Sequence, residues 1–259
     1  MLTLFDMNTI PAFLLILVRF GAFFSTVPIF SYRNIPTPFK IGTAFFISWI
    51  ILYTLDIPEI SLDYTFLLLI GKEAIVGLLL GLVAYMILAA VQIAGGFIDF
   101  QMGFAIANVV DPQTGAQSPV IGQYFYTFAL LFLLAVDGHH LLINGAFYSF
   151  EMIPLDQFIN FTDETILLTI VHMFNQLFLI AFQLAIPLVG CLFLVDVALG
   201  IIARTVPQLN VFVVGLPLKI LVSLFVLTMF MAIYMGLVRR LFAYMLEMMY
   251  VFMQLFGGA

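Results

Sequence analysis

Between Tyr64 and Gly96 the chain carries only two charged residues, Lys72 and Glu73, in a run that is otherwise almost wholly Leu, Ile, Val, Ala and Gly. An apolar stretch this long is not one face of a soluble helix, since about 20 such residues already cross a bilayer. The same texture recurs six times, over segments 8–29, 39–56, 64–96, 122–150, 163–204 and 214–240, the last continuing as an amphipathic tail to 255. Of the 259 residues, 64% are hydrophobic and 8% charged, against about a quarter charged in soluble domains. The expected fold is an all-α membrane protein of about six long, kinked helices built as helical hairpins, one polytopic unit over residues 1–259.

Three segments are too long for one straight crossing and are expected to kink or tilt. Pro187 and Gly190 are the expected break in the fifth, and Gly138 in the fourth. Gly77 and Gly81 form a Gly-x-x-x-Gly pair that allows close helix approach. Gly95-Gly96 is expected to loosen the third helix where Asp99 and Gln101 begin to replace apolar residues. Cys191 is the single cysteine, which excludes an internal disulfide, and the net charge of −6 offers no basic surface to nucleic acid. Asp6 precedes the first apolar run where a cleavable signal would be basic, so that run is expected to be kept.

Lys and Arg mark the cytoplasmic side. Arg33 and Lys40 flank the first turn, and Arg204 and Lys219 the last, whereas 56–63 and 151–164 carry only acids. This predicts an outer N-terminus, cytoplasmic turns near 30–38 and 205–216, and an outer C-terminus that Arg239 and Arg240 oppose. The two basic turns also share wording. Val27-Pro28…Pro38-Phe39-Lys40-Ile41 matches Val206-Pro207…Pro217-Leu218-Lys219-Ile220 at an offset of 179, with five of six positions identical. Such a hairpin has a physical sense: one proline ends a helix, the other opens the next, and lysine anchors it at the interface. Internal duplication, common in transport proteins, would explain it; so would the frequency of proline and lysine at turns.

Inside this membrane sequence, Gly103–Gln123 reads Gly-Phe-Ala-Ile-Ala-Asn-Val-Val-Asp-Pro-Gln-Thr-Gly-Ala-Gln-Ser-Pro-Val-Ile-Gly-Gln. Lipid cannot solvate the free backbone of such a loop, so it must lie against protein or line a watery path. Asp111-Pro112-Gln113-Thr114-Gly115 has turn chemistry. Asp111 is the loop's one charge, and Ile106, Val109 and Val110 gain nothing from water, so a protein interior is expected rather than an exposed connection.

Charges at bilayer depth need partners. Arg19, Lys72, Glu73, Asp99, Asp137 and Asp196 lie in apolar segments, with Gln92 and Gln101 beside them. They suit a proton or ion relay, or paired charges that set helix register; no acid series recurs at one helical spacing, which favours pairing. Lys72 and Glu73 are neighbours, about 100° apart on a helix, and are expected to reach different partners rather than each other. His139 and His140 point apart on a helix and lack a third ligand at suitable spacing, so no metal site is expected. Asp137-Gly-His-His reads as a helix break and restart. Hydrolytic and nucleotide motifs are missing (no Gly-x-Ser-x-Gly, His-Glu-x-x-His or P-loop), so neither catalysis nor a cofactor is expected.

The loop and Arg204-Thr-Val-Pro-Gln-Leu-Asn-Val-Phe-Val-Val-Gly-Leu-Pro-Leu-Lys219 together resemble the FliR/SctT family of type III export-gate proteins, essentially end to end. The loop wording is closer to flagellar than to injectisome members. The resemblance implies a structural subunit of the flagellar protein-export gate in the bacterial inner membrane, at the flagellar basal body. A single copy would complete a ring of FliP with FliQ, FlhB would wrap the outside, and FlhA would supply the surrounding apparatus. Unfolded flagellar proteins would pass through the channel. It further implies that Ile106, Ala107, Asn108, Val109, Val110, Asp111, Pro112, Gln113, Thr114, Gly115, Gln117, Ser118 and Pro119, within a loop spanning 103–121, plug that channel. Arg19, Lys72, Glu73, Asp99 and Asp196 would serve assembly, and Arg204, Pro207, Gln208, Asn210, Pro217 and Lys219 the cytoplasmic hairpin. An injectisome gate subunit is the alternative within the family; composition alone also permits a secondary transporter or ion channel.

Overall fold

The structure, a computed structural model, describes residues 9–257 except 33, 56–57, 59, 61, 105–118, 160–163 and 209. Among the described residues all regular structure is α-helical: α1 (Thr9–Thr26), α2 (Thr37–Leu52), α3 (Tyr64–Met102), α4 (Val120–Ala135), α5 (Gly138–Met152), α6 (Glu164–Thr205) and α7 (Val211–Gly257). Helices dominate because a chain in hydrocarbon must satisfy its backbone groups within the segment. Among the described residues α1, α3, α6 and α7 can each cross a membrane by length and composition, a count that rises to five if the bent pair α4–α5 is one span. That is fewer than the six expected, since the 16 residues of α2 fall short of a crossing.

Several boundaries depart from expectation for identifiable reasons. The break at Gly138 is present: Asp137 adopts φ 55°, and the helix restarts after it. The break at Pro187 and Gly190 is not, as α6 runs on through both. One proline forfeits one hydrogen bond, whereas ending the helix in lipid would expose several. Nor does Gly95-Gly96 loosen α3, which continues to Met102. Pro217 does not open a helix either. α7 starts six residues earlier because Asn210 caps it: the Asn210 side chain accepts from Phe212 N–H at 3.2 Å, and its carbonyl accepts from Val213 and Val214.

The chain forms two compact units. The first comprises 1–86, 136–173 and 243–259. Here α2 packs on α1, with the Phe13 ring edge-on to Phe45 (5.2 Å) and Trp49 (5.8 Å). Ala12, Leu15, Ile16, Phe20, Phe23 and Phe24 of α1 are fully buried. The glycine pair of α3 meets the other face of α1: a Cβ at Gly77 would strike the Arg19 carbonyl, and one at Gly81 would strike the Thr26 hydroxyl. The second unit comprises 87–135 and 174–242. Its core includes Val91, Ala94, Ile98, Phe125, Ala129, Leu184, Leu188 and Tyr234. The Tyr234 ring of α7 stacks on Phe125 of α4 at 4.4 Å, and its hydroxyl donates to the Phe125 carbonyl.

The two basic hairpins share their exits. α1 ends at Thr26 and α6 at Thr205, which preserves the offset of 179, and Pro28 and Pro207 follow two residues later. Their re-entries differ: Pro38 lies in the first turn of α2, whereas Pro217 lies well inside α7.

Candidate functional site

Residues 106–115, 117 and 118 of the loop lie outside the described residues, but both of its ends are built in detail. α3 stops in a two-bond glycine cap: Gly103, at φ 89°, donates to the Phe100 carbonyl (3.2 Å), and Phe104 N–H donates to the Asp99 carbonyl (3.0 Å). Glycine is required there because a side chain at that φ is strained. On the far side of the loop, Pro119 precedes α4 and accepts from Gln123 N–H at 2.8 Å. The free amides at the start of α4 then find the Asp99 carboxylate, which accepts from Ile121 N–H (3.0 and 3.2 Å) and Gly122 N–H (3.4 Å). Asp99 is only 2% exposed. A carboxylate at the positive end of a helix dipole is stabilised there, so this buried charge is compensated without a cation.

The same loop base is held by backbone approach. A Cβ at Gly95 would collide with Gly122, and one at Gly122 would press on Pro119 and the Gln92 carbonyl. Glycine at both positions lets α3 and α4 touch main chain to main chain, one helical turn from Asp99. Gly95 thus serves packing rather than flexibility. The sequence does hold the signal for this base: Asp99 four residues before a capping glycine, and Pro119 at a helix start.

A second cluster lies in the first unit. Arg19 of α1 forms a double-bonded ion pair with Glu73 of α3, its Nη2 donating to Oε1 at 2.9 Å. Arg19 also donates to Ser149 Oγ (3.0 Å) and the Ile153 carbonyl (2.9 Å), and its guanidinium lies 4.0 Å from the centre of the Phe150 ring. Lys72 reaches the Pro154 and Leu155 carbonyls at 2.8 and 3.2 Å. Contrary to the sequence expectation, Lys72 also pairs with Glu73 itself. Both side chains turn into the same interior, and the long lysine stem spans the angle that separates neighbours on a helix. Arg19, Lys72 and Glu73 are all buried, so the network meets the requirement that interior charges be paired and fully bonded.

The third cluster joins α3, α6 and α7 in the second unit. Asp196 pairs with Lys219 and accepts from Gln101 Nε2 at 2.8 Å. Asp196 and Lys219 border a cavity of about 290 Å³ whose other walls include Gly103, Leu199 and Leu216. Lys219, expected as an interfacial anchor, therefore bonds within the chain as well. Arg204, Pro207, Gln208, Asn210 and Pro217 of the hairpin are exposed.

The histidines also differ from expectation. The rings of His139 and His140 lie 4.2 Å apart, centre to centre, and Asp137 supplies the third potential ligand that spacing alone did not offer. Asp137 takes a left-handed backbone, φ 55°, at the helix break, which uniform helical geometry could not anticipate.

Long apolar helices, interior charges kept in bonded clusters and an Asp99 that bonds both the end of α3 and the start of α4 define an α-helical membrane protein. The chain belongs to the bacterial export proteins, family 1, whose family model matches residues 10–245. It is 57% identical to the flagellar biosynthetic protein FliR of Bacillus subtilis (strain 168), over 95% of this chain and 96% of that one. It is 32% identical to FliR of Escherichia coli (strain K12), over 88% of this chain and 87% of the relative. The Yop proteins translocation protein T of Yersinia pestis is 37% identical over 62% of each chain.

Proposed function

We propose that this protein is a structural subunit of the flagellar type III protein-export gate in the bacterial inner membrane, part of the wall and closure of the channel that passes unfolded flagellar proteins. Whole-length likeness to flagellar relatives, against a shorter match to the injectisome relative, supports the flagellar reading. The observation that carries the channel role is the loop base. Asp99 bonds the chain on both sides of 105–118, which supports the reading of Ile106 to Pro119 as a plug held at its base. Function resides in that placement and in assembly, without catalysis or a cofactor.

The helix surfaces support assembly with other chains. Only 28% of the most apolar window of α6 and 17% of that of α7 is buried within the chain. Phe212, Leu221, Phe225, Met229 and Ile233 of α7 are exposed. These faces suit hydrophobic neighbours, FliP and FliQ in the gate, with FlhB around the outside and FlhA in the surrounding apparatus. Co-expression followed by purification tests the reading. A stable complex with FliP and FliQ containing one copy of this chain is expected. A chain that purifies alone and moves a small solute after reconstitution would make it a transporter instead.

A further inference from the structure

We propose that Asp137, His139 and His140 form a binding site for a divalent late-transition-metal cation of the Zn²⁺ class, which ties the cap residue of α5 to its first turn. One ligand atom from each side chain lies within 4.8 Å of the other two. Metal–ligand bonds of about 2.0–2.1 Å place tetrahedral ligands roughly 3.3 Å apart. The remaining closure needs only side-chain rotation, and Asp137 and His140 are both exposed and free to turn.

Three further observations point the same way. Asp137 occupies the cap position of α5, where an aspartate normally accepts from the helix amides, yet its carboxylate makes no capping bond. It also holds a left-handed backbone, φ 55°, a conformation that Asp and Asn adopt more readily than other side-chain-bearing residues. At that backbone its carboxylate lies within 4.8 Å of the imidazole ligand atoms. Finally, His139 Nδ1 is buried without a hydrogen-bond partner. Two neutral imidazoles and one carboxylate suit Zn²⁺, Co²⁺ or Ni²⁺ better than Ca²⁺ or Mg²⁺, which prefer oxygen alone. Three protein ligands leave a position for water or for a donor from a neighbouring chain.

The test uses the full chain in detergent, purified through a tag without histidine, stripped with a chelator and titrated with Co²⁺. One equivalent should bind with the visible absorption of a low-symmetry Co²⁺ site and be displaced by Zn²⁺. His140→Gln should weaken binding roughly tenfold or more. His172→Gln, outside the cluster, should leave binding unchanged. Asp137→Asn provides an independent check, because asparagine tolerates the left-handed backbone and removes only the charged ligand; it too should weaken binding. No saturable Co²⁺ binding, or equal binding by wild type and both cluster variants, would overturn the site.

Discussion

The Asp99 carboxylate accepts from the Ile121 amide at 3.0 Å while the Asp99 carbonyl accepts from Phe104, so one residue holds the chain where it leaves α3 and where it enters α4. Asp99→Ala should leave the buried amides of Ile121 and Gly122 unsatisfied and cost about 1–3 kcal/mol. Asp99→Asn, which keeps an acceptor, should lose less. Thermal unfolding of the purified protein checks the order, and an alanine variant as stable as wild type would remove the clamp.

Gly95 and Gly96 are neighbours with opposite tolerances. A methyl group at Gly95 meets the Gly122 backbone, whereas at Gly96 it meets only the Pro119 ring at an ordinary 3.8 Å. Gly95→Ala should destabilise by about 1–3 kcal/mol and lower the yield of assembled complex. Gly96→Ala should be nearly silent. Motility and complex yield of the two strains provide the comparison.

Removing Glu73 takes from Arg19 and Lys72 the buried carboxylate that both pair with. Glu73→Ala should cost about 3–5 kcal/mol, and Arg19→Met combined with Glu73→Leu should recover part of the loss. Asp196→Asn breaks a pair that is 36% and 20% exposed and should cost about 1 kcal/mol or less. Denaturant titration of the three variants separates the buried pair from the exposed one.

Deleting Ile106–Gly115 spares Asp99, Gly103, Gly122 and Pro119, and therefore the loop base. The gate should assemble in normal yield and leak ions or small molecules when closed. A tight gate after the deletion would end the plug assignment; ion conductance of cells expressing the variant decides it.

Because Asn210 rather than Pro217 starts α7, their substitutions should differ in sign. Asn210→Ala should destabilise by about 0.5–2 kcal/mol through the lost cap. Pro217→Ala should stabilise, because it restores an N–H for the Val213 carbonyl inside a helix. Circular-dichroism melting of both variants tests the assignment.

Much of the fold was legible along the chain. The predicted segment 163–204 is α6 within one residue at each end, and the break at Gly138 stands where Gly and Asp punctuate the pattern. Pro187 and Pro217 do not bound their helices, because local breaking tendency yields to the backbone's need for continuous bonding. Phe104, Ile121 and Gly122 are visible in the sequence only as the margins of an unusual loop; their common attachment to Asp99 is not. Lys72 and Glu73 were separated on geometric grounds that hold for short side chains and fail for lysine.

The sequence by itself determined that this protein is helical, membrane-embedded and interrupted by a loop unsuited to lipid. Those properties follow from composition and periodicity, and the backbone must obey them wherever the helices go. Tertiary structure decided which residues answer one another: Arg19 and Glu73 across 54 positions, Asp99 and Ile121 across 22. A buried charge announces in the sequence that it needs a partner. Which one it finds depends on which helices touch, and that is set by the close approach of Gly77 and Gly81 to α1 and of Gly95 to Gly122.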